Sequence, residues 1–307
     1  FAHMLIMGSG YHHAEREGKA MSIKLAVPNK GRLNERSLQI LKQAGLEIED
    51  GVERKLYATV KNGDFSVMFL RASDIVSFVH KGAVDMGITG RDLVLESGLD
   101  VEVMLDMGFG RCRLSVAVPE EAGMEEAEDV PDGALVATSF PNMARKYFAK
   151  LGKKVDITVI SGAAEVTPRL GVADLIVDLV SSGSTLKTNH LKEIAVIAES
   201  EAVVIASKRS LEEKGEEMRE LASALRSVAD AEDKKYLMAD VPVTALDDIR
   251  KFLPGIAGPT IMNIVGRDDV VAIHVVVDKS KIYDSVNKLK RLGATGILIM
   301  PIDRMVP

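Results

Sequence analysis

The sequence predicts an α/β protein whose mostly parallel sheets are covered by helices, followed by a separate βαββαβ unit of ferredoxin-like pattern. Three observations carry this reading. Short apolar runs alternate with segments of helical spacing over residues 23–206. Met218, Leu221, Leu225 and Val228 then mark one apolar face of a long helix, with Glu and Arg elsewhere on it. Residues 234–307 follow in the order strand, helix, strand, strand, helix, strand.

The elements follow in chain order. Residues 23–27 (IKLAV) read as a strand, and Pro28 to Arg32 as a turn. Leu33, Ile40, Leu41 and Ala44 recur at helical spacing, with Gly45 as the stop. Residues 65–70 read as a strand; Ile75, Phe78 and Val79 mark a helix ending near Gly82; residues 84–88 form a strand leading into Thr-Gly-Arg-Asp. The pattern restarts at 113–118, after which the acidic, turn-rich stretch 119–133 is a surface excursion. Then come strand 134–138, a helix at 141–151, strand 155–160, a short helix near 163–170, strand 174–180, and strands near 194–198 and 202–206. The last unit reads 236–241, 244–252, 260–265, 270–277, 279–292 and 296–300, with Ile282, Val286, Leu289 and Leu292 giving its second helix a face.

Composition narrows the function. The chain has 307 residues, 47% of them hydrophobic, which supports a sizeable core and two or three domains. A net charge of −6 argues against nucleic acid as the main partner. The single cysteine, Cys112, excludes an internal disulfide and a cysteine metal cluster, and is expected in the core. His80, His190 and His274 have no metal-ligand spacing and read as structural or surface residues. No apolar run reaches the length of a membrane span, and residues 1–20 make a poor secretory signal. Those residues, with His12-His13, are expected to be an appended leader, a native disordered extension being the alternative. The expected location is cytoplasmic.

One stretch points to a ligand. In VADLIVDLVSSGSTLKTNHL, residues 172–191, an apolar strand carrying Asp174 and Asp178 runs into Ser181-Ser182-Gly183-Ser184-Thr185. A strand ending where a helix begins leaves amide N–H groups without partners, and the helix dipole favours an anion there. Small residues admit a ligand close to the backbone, and Gly183 permits unusual angles. Asp178 suits sugar hydroxyls. An ordinary Ser/Thr-capped helix reads the same way; the acids beside the loop favour a sugar phosphate. Gly108-Phe-Gly-Arg-Cys112 lacks the third glycine of a dinucleotide fingerprint.

DLVSSGSTLKTNHL resembles the phosphoribosyl-diphosphate loop of the ATP phosphoribosyltransferase family. LAVPNKGRL (25–33), LRASDIVSFVHKGAVDMGITGRDL (70–93), MGFGRCRLSVAVP (107–119) and SGAAEVTPRLGVADLIVDLVSSGSTL (161–186) look like further signatures of that family, in the expected order. So do LPGIAGPTI and LKRLGATGILIMPIDRM near the C-terminus, which indicate the long form. The resemblance covers Met21 to the end. It implies two lobes like a type II periplasmic binding protein, with the site in the cleft and an ACT-like regulatory domain beyond. Lobe I would comprise 21–112 and 199–233, lobe II 113–198, and the regulatory domain 234–307.

The resemblance implies a glycosyltransferase that joins adenine N1 of ATP to C1 of phosphoribosyl diphosphate, releasing pyrophosphate, in histidine biosynthesis. No acid or base catalyst is assigned. Mg2+ would be held through substrate phosphates. Ser181, Ser182, Gly183, Ser184 and Thr185 would hold the 5′-phosphate, Asp178 the ribose hydroxyls, Glu165 the ribose or metal side, and Asp92 the adenine end. Lys30, Arg32, Arg71 and Arg111 are candidates for the remaining phosphates. Ser184 stands where the family often has a longer, basic residue, so the resemblance carries over the backbone cradle there and not the side-chain contact. L-histidine would inhibit through Asp240, Thr260 and Gly296; AMP is a further candidate ligand. A dimer or hexamer is the family expectation. A solute-binding protein and a non-catalytic sensor are the competing readings, disfavoured by the phosphate loop and the basic residues.

Overall fold

A computed structural model describes residues 22–48, 56–255 and 258–306. The leader expected at 1–20 lies outside these residues. The chain opens with β1 (Ile23–Pro28), α1 (Arg32–Gln43), β2 (Tyr57–Thr59), β3 (Phe65–Leu70), α2 (Ala72–His80), β4 (Met86–Gly90), α3 (Arg91–Ser97) and β5 (Glu102–Asp106). It then crosses to a second sheet through β6 (Cys112–Pro119), β7 (Leu135–Thr138), α4 (Pro141–Lys150), β8 (Asp156–Val159), β9 (Leu175–Val180), α5 (Ser184–Thr188) and β10 (Leu191–Ser200). It returns as β11 (Ala202–Ala206).

The first sheet has the order β2-β3-β1-β4-β11-β5, and the second β10-β6-β9-β7-β8. β1 is parallel to β3 and β4, while β11 runs antiparallel to β4 and β5. This is the two-lobed arrangement of type II periplasmic binding proteins. β4 and β11 are buried at every residue, as expected of central strands covered on both faces. The sequence reading stopped β4 at residue 88 and passed over β2 and β5. β2 is a three-residue edge strand, and β5 has only three apolar residues, Val103 to Leu105, between two acids, too short a run to read as a strand.

α6 (Lys208–Ala231) buries Met218, Leu221, Leu225 and Val228 against the first sheet, the face read from sequence. Its N-terminal half is pinned by Asp85, which is 5% exposed. Asp85 accepts from Lys24 N (2.8 Å), Ser210 Oγ (2.7 Å) and Lys214 Nζ (2.9 Å). Lys214 has non-helical backbone angles (φ −137°, ψ 25°), so α6 kinks where this ion pair forms. Burial pushes the Asp85 carboxyl up, but those three donors outweigh it and hold the group below its ordinary value of 3.8.

The C-terminal unit contains β12 (Lys234–Pro242), α7 (Leu246–Phe252), β13 (Thr260–Ile264), β14 (Arg267–Asp278), α8 (Ile282–Arg291) and β15 (Thr295–Pro301). Its antiparallel sheet has the order β13-β14-β12-β15, the ferredoxin-like arrangement. Leu237, Ala239, Val241, Ile273 and Val275 alternate inward and pack with Ile249 and Leu289 of the two helices. The tail beyond β15 docks back on lobe I. Arg304 donates to Ser227 Oγ of α6 (2.9 Å) and to the Ala44 carbonyl that ends α1 (3.1 Å).

The Asp85–Lys214 pair is nearly dry, so removing one partner strands the other charge. Asp85→Asn is expected to cost about 3 kcal/mol at pH 7 in urea unfolding. A depressed carboxylate pKa gives stability above the unfolded-state value that is lost as pH falls through the folded-state value. The wild-type advantage is therefore expected to shrink below pH 3.8.

Candidate active site

Three parallel strands of the first sheet deliver their C-terminal ends to one edge, where α/β sheets bind ligands. β1 ends at Pro28, in register with Leu70 of β3, and Asn29 N donates to the Leu70 carbonyl at 2.7 Å. Lys30 and Arg71 follow these ends and are both exposed. Arg32 opens α1, and its side chain lies outside the described atoms. Arg91 and Asp92 follow β4. Asp92 is only 6% exposed, and the Ser200 hydroxyl donates to its Oδ1 at 2.6 Å while accepting from its amide at 3.0 Å. Burial pushes the Asp92 carboxyl up against that hydroxyl and the local amides. A Cβ at Gly90 would stand 2.2 Å from Asp92 Oδ1, so glycine is what lets this carboxylate tuck in.

In the second sheet β7 is parallel to β8 and β9, so their C-terminal ends share an edge as well. That edge presents Ser139, the stretch from Ile160 to Glu165, and the Ser181–Thr185 loop. Ser139 Oγ donates to the Ile160 carbonyl (2.7 Å) and ties two of the three turns together, a role invisible in the sequence. Asp178 sits on β9 opposite Ser115 of β6 and is half-buried. Burial pushes its carboxyl up, the Leu179 amide opposes this, and the charge of Glu165 raises it further. The turn that carries Glu165 packs against β9, so both acids flank the loop. Two such carboxylates suit a vicinal diol, which supplies two O–H donors, or a hard cation.

The loop departs from the sequence expectation in one physical respect. α5 has only five residues, so the helix dipole invoked for anion binding is slight. The turn itself remains. Gly183 has φ +76°, a left-handed angle that favours glycine. Ser182 and Ser184 hydroxyls lie 3.0 Å apart. Among the described residues, the amides of Ser182 and Gly183 have no acceptor. Asp174, read as a second acid beside the loop, lies before the start of β9 and accepts from Leu135 N (2.8 Å). It ties β9 to β7 and is remote from the ligand end.

Arg111 is 73% exposed, with Nε 3.8 Å from Glu201 Oε2. Cys112 is half-buried at the start of β6, less enclosed than expected. His80 Nδ1 lies 2.9 Å from the Asp100 carbonyl, and His190 is exposed 3.9 Å from Glu120. Among the described residues no three His, Cys, Asp or Glu side chains gather as a metal cage. Sequence reasoning also missed Glu96, whose carboxylate accepts from Asn142 N and Met143 N (both 2.9 Å), so that α3 of one lobe caps α4 of the other.

In the C-terminal sheet, Asp240 and Gly296 are neighbours, since a Cβ on Gly296 (φ +56°) would lie 3.0 Å from Asp240 Oδ2. Thr260 is apart from them, on β13 beyond β14, opposite His274. It lines a cavity of about 350 Å³ with Tyr236, Gly258, Met262, His274 and Val276. The Tyr236 hydroxyl lies 2.5 Å from His274 Nδ1. All three residues expected to take histidine share the sheet face that the helices leave open, at two places on it.

A family model described as ATP phosphoribosyltransferase matches residues 71–227, and one described as HisG, C-terminal domain, matches residues 231–304. The ATP phosphoribosyltransferase of Methanococcoides burtonii is 46% identical over 285 residues, 93% of this chain and 100% of the relative. That of Methanothermobacter thermautotrophicus is 42% identical over 287 residues, 94% of this chain and 100% of the relative. Among solved structures, the ATP phosphoribosyl transferase (HisG:HisZ) complex from Thermotoga maritima is similar, with a TM-score of 0.61 and 29% identity over 68% of this chain and 98% of that one. With two family models lying end to end over its lobes and its C-terminal unit, the chain belongs to the ATP phosphoribosyltransferase family, in its long form.

Proposed function

We propose that the two strand-end edges take the two substrates of the family's reaction, phosphoribosyl diphosphate on lobe II (113–198) and ATP toward lobe I (21–112 and 199–233). The observation that carries this is the Ser181–Thr185 turn, with unused amides and the Glu165–Asp178 pair at one strand end. Ser181 to Thr185 hold the 5′-phosphate through backbone N–H groups and hydroxyls. Asp178 and Glu165 accept from the ribose hydroxyls. Arg71, Lys30 and Arg111 take the remaining phosphates, with Arg32 a further candidate from the family resemblance alone, and Asp92 orients the adenine end.

The adenine N1 lone pair forms the new bond to C1 as the C1–O bond to pyrophosphate breaks, and the electron pair leaves on pyrophosphate. N1 is unprotonated at neutral pH, so no base is needed at the nucleophile. Catalysis then consists of alignment and charge stabilisation. The two carboxylates near the ribose favour positive charge developing at C1. Mg2+ would be carried mainly by substrate phosphates, supplying charge neutralisation to the leaving group, with Glu165 and Asp178 the carboxylates that would contribute from the chain.

L-histidine is proposed to inhibit by binding the C-terminal unit (234–307), at the cavity lined by Thr260 or beside Asp240 and Gly296. The docking of Arg304 on α6 and α1 supports coupling from that unit to lobe I. Met262, Leu298 and Met300 are exposed on the same open sheet face, which supports self-association there. A cytoplasmic location accompanies the biosynthetic role.

Incubation with ATP, phosphoribosyl diphosphate and Mg2+ is expected to yield N1-ribosylated ATP and pyrophosphate; no product would sink the reading. Asp178→Asn is expected to lower kcat/KM for phosphoribosyl diphosphate about tenfold or more, with an unchanged melting temperature. Gly183→Val, forced into a left-handed angle, is expected to weaken phosphoribosyl diphosphate use more than Ser184→Ala does; equal losses would point to side-chain recognition. Histidine is expected to inhibit wild type more strongly than Asp240→Ala or Thr260→Val, by about 1–3 kcal/mol of coupling. Inhibition unchanged in both variants would place the effector elsewhere.

A further inference from the structure

The sequence reading singled out Arg111, yet the neighbouring Arg113 is the residue built into the loop. Arg113 lies on β6, in register with Val180, the last residue of β9. Its Nη1 donates to the Ser181 carbonyl at 3.3 Å. Its Nε and Nη2 donate to the two oxygens of Glu193 on β10, at 2.7 and 2.6 Å. Ser115 Oγ donates to the same carboxylate at 3.2 Å. The paired fork fixes the plane of the guanidinium and leaves one N–H directed at the first peptide of the loop.

That contact has a geometric consequence. The Ser181 carbonyl and the Ser182 amide belong to one peptide unit, and no cis peptide occurs among the described residues. In a planar trans peptide the C=O and N–H point in opposite directions. Holding the carbonyl toward Arg113 therefore aims the Ser182 N–H away from β6, and among the described residues that N–H has no acceptor. The ion pair also compensates the guanidinium charge, so Arg113 is poorly suited to bind phosphate directly. Its purpose in the site is orientation.

We propose that Arg113 is a positioning residue: clamped by Glu193, it fixes the Ser181 carbonyl and thereby directs the Ser182 amide at the 5′-phosphate of phosphoribosyl diphosphate. This rests on the assignment of the loop to that phosphate. A pair that merely stabilised the β6–β10 seam would need two of these N–H groups and would not involve the loop.

The test uses full-length Arg113→Gln, Arg113→Lys and Glu193→Gln, with KM measured separately for the two substrates and melting temperatures recorded. Arg113→Gln is expected to raise KM for phosphoribosyl diphosphate about tenfold and KM for ATP by less than about twofold, the loss of one charge-assisted hydrogen bond. Arg113→Lys, able to reach one partner at a time, is expected to recover part of that loss. Glu193→Gln keeps one acceptor and is expected to raise the same KM about threefold. An unchanged KM for phosphoribosyl diphosphate in Arg113→Gln, or equal rises for both substrates, overturns the proposal whatever the melting temperature. If Arg113→Gln does not fold, the same criterion applies to Arg113→Lys. Wild type that shows no saturation with phosphoribosyl diphosphate would instead defeat the loop assignment itself.

Discussion

The slot between β4 and β5 governs the whole catalytic part. Both strands have backbone groups facing that gap, and buried N–H and C=O groups must be paired. The strand that fills it is β11, which bonds to both neighbours and is wholly buried. β11 arrives only after the chain has built the second sheet and come back. Two crossings result, and they lie side by side: Met107 N donates to the Ala202 carbonyl and Ala202 N to the Phe109 carbonyl, each at 2.9 Å. The two lobes are joined by a paired strand segment. Asp92, Ser200 and Glu201 cluster there, with Glu201 accepting from Gly108 N at 2.9 Å.

This constraint sets where the candidate site lies. Parallel strands release their helices and turns at the carboxyl end, so each sheet has one edge where peptide groups and polar side chains go unused. Lobe I offers exposed cations there, Lys30 and Arg71; lobe II offers a turn of free amides with two acids. The division suits the proposed reaction between two polyanions, one of which reacts at its ribose. Because α5 is a single turn, the anion recognition proposed for the loop would fall to individual amides, and their direction depends on what holds the carbonyls behind them.

The same first sheet receives the C-terminal unit. α6 is anchored at its start by Asp85 and carries β12 at its end, and the tail beyond β15 returns through Arg304 to α6 and α1. The C-terminal unit thus has two attachments to lobe I. A ligand favouring one arrangement of that unit can bias lobe I only through such attachments, by its difference in affinity between states. The kink at Lys214 lies along the first of these routes.

Much of this was legible in the sequence because it depends on local period and on turn chemistry. The buried face of α6, the βαββαβ order and the Ser181–Thr185 loop after an apolar strand follow from side-chain spacing and from where small residues stand. β2 and β5 were not legible, since Tyr57–Thr59 and Glu102–Asp106 become strands through their partners and have too few apolar residues in sequence to signal one. Nor were the roles of Asp174, Glu96 and Ser139, where the chemistry lies in a hydrogen bond to a residue far along the chain. Arg113 and Arg111 read alike as cations flanking Cys112. The antiparallel pairing of β6 with β9 sets one beside the loop, and the crossing leaves the other at the surface. By itself the sequence determined the strongly periodic helices and strands and the small-residue turn after β9, because those are short-range properties of the backbone and its side chains. Only the tertiary structure decided which charges meet and which amides stay free, because hydrogen bonds and ion pairs act over a few ångströms that strand pairing alone brings about.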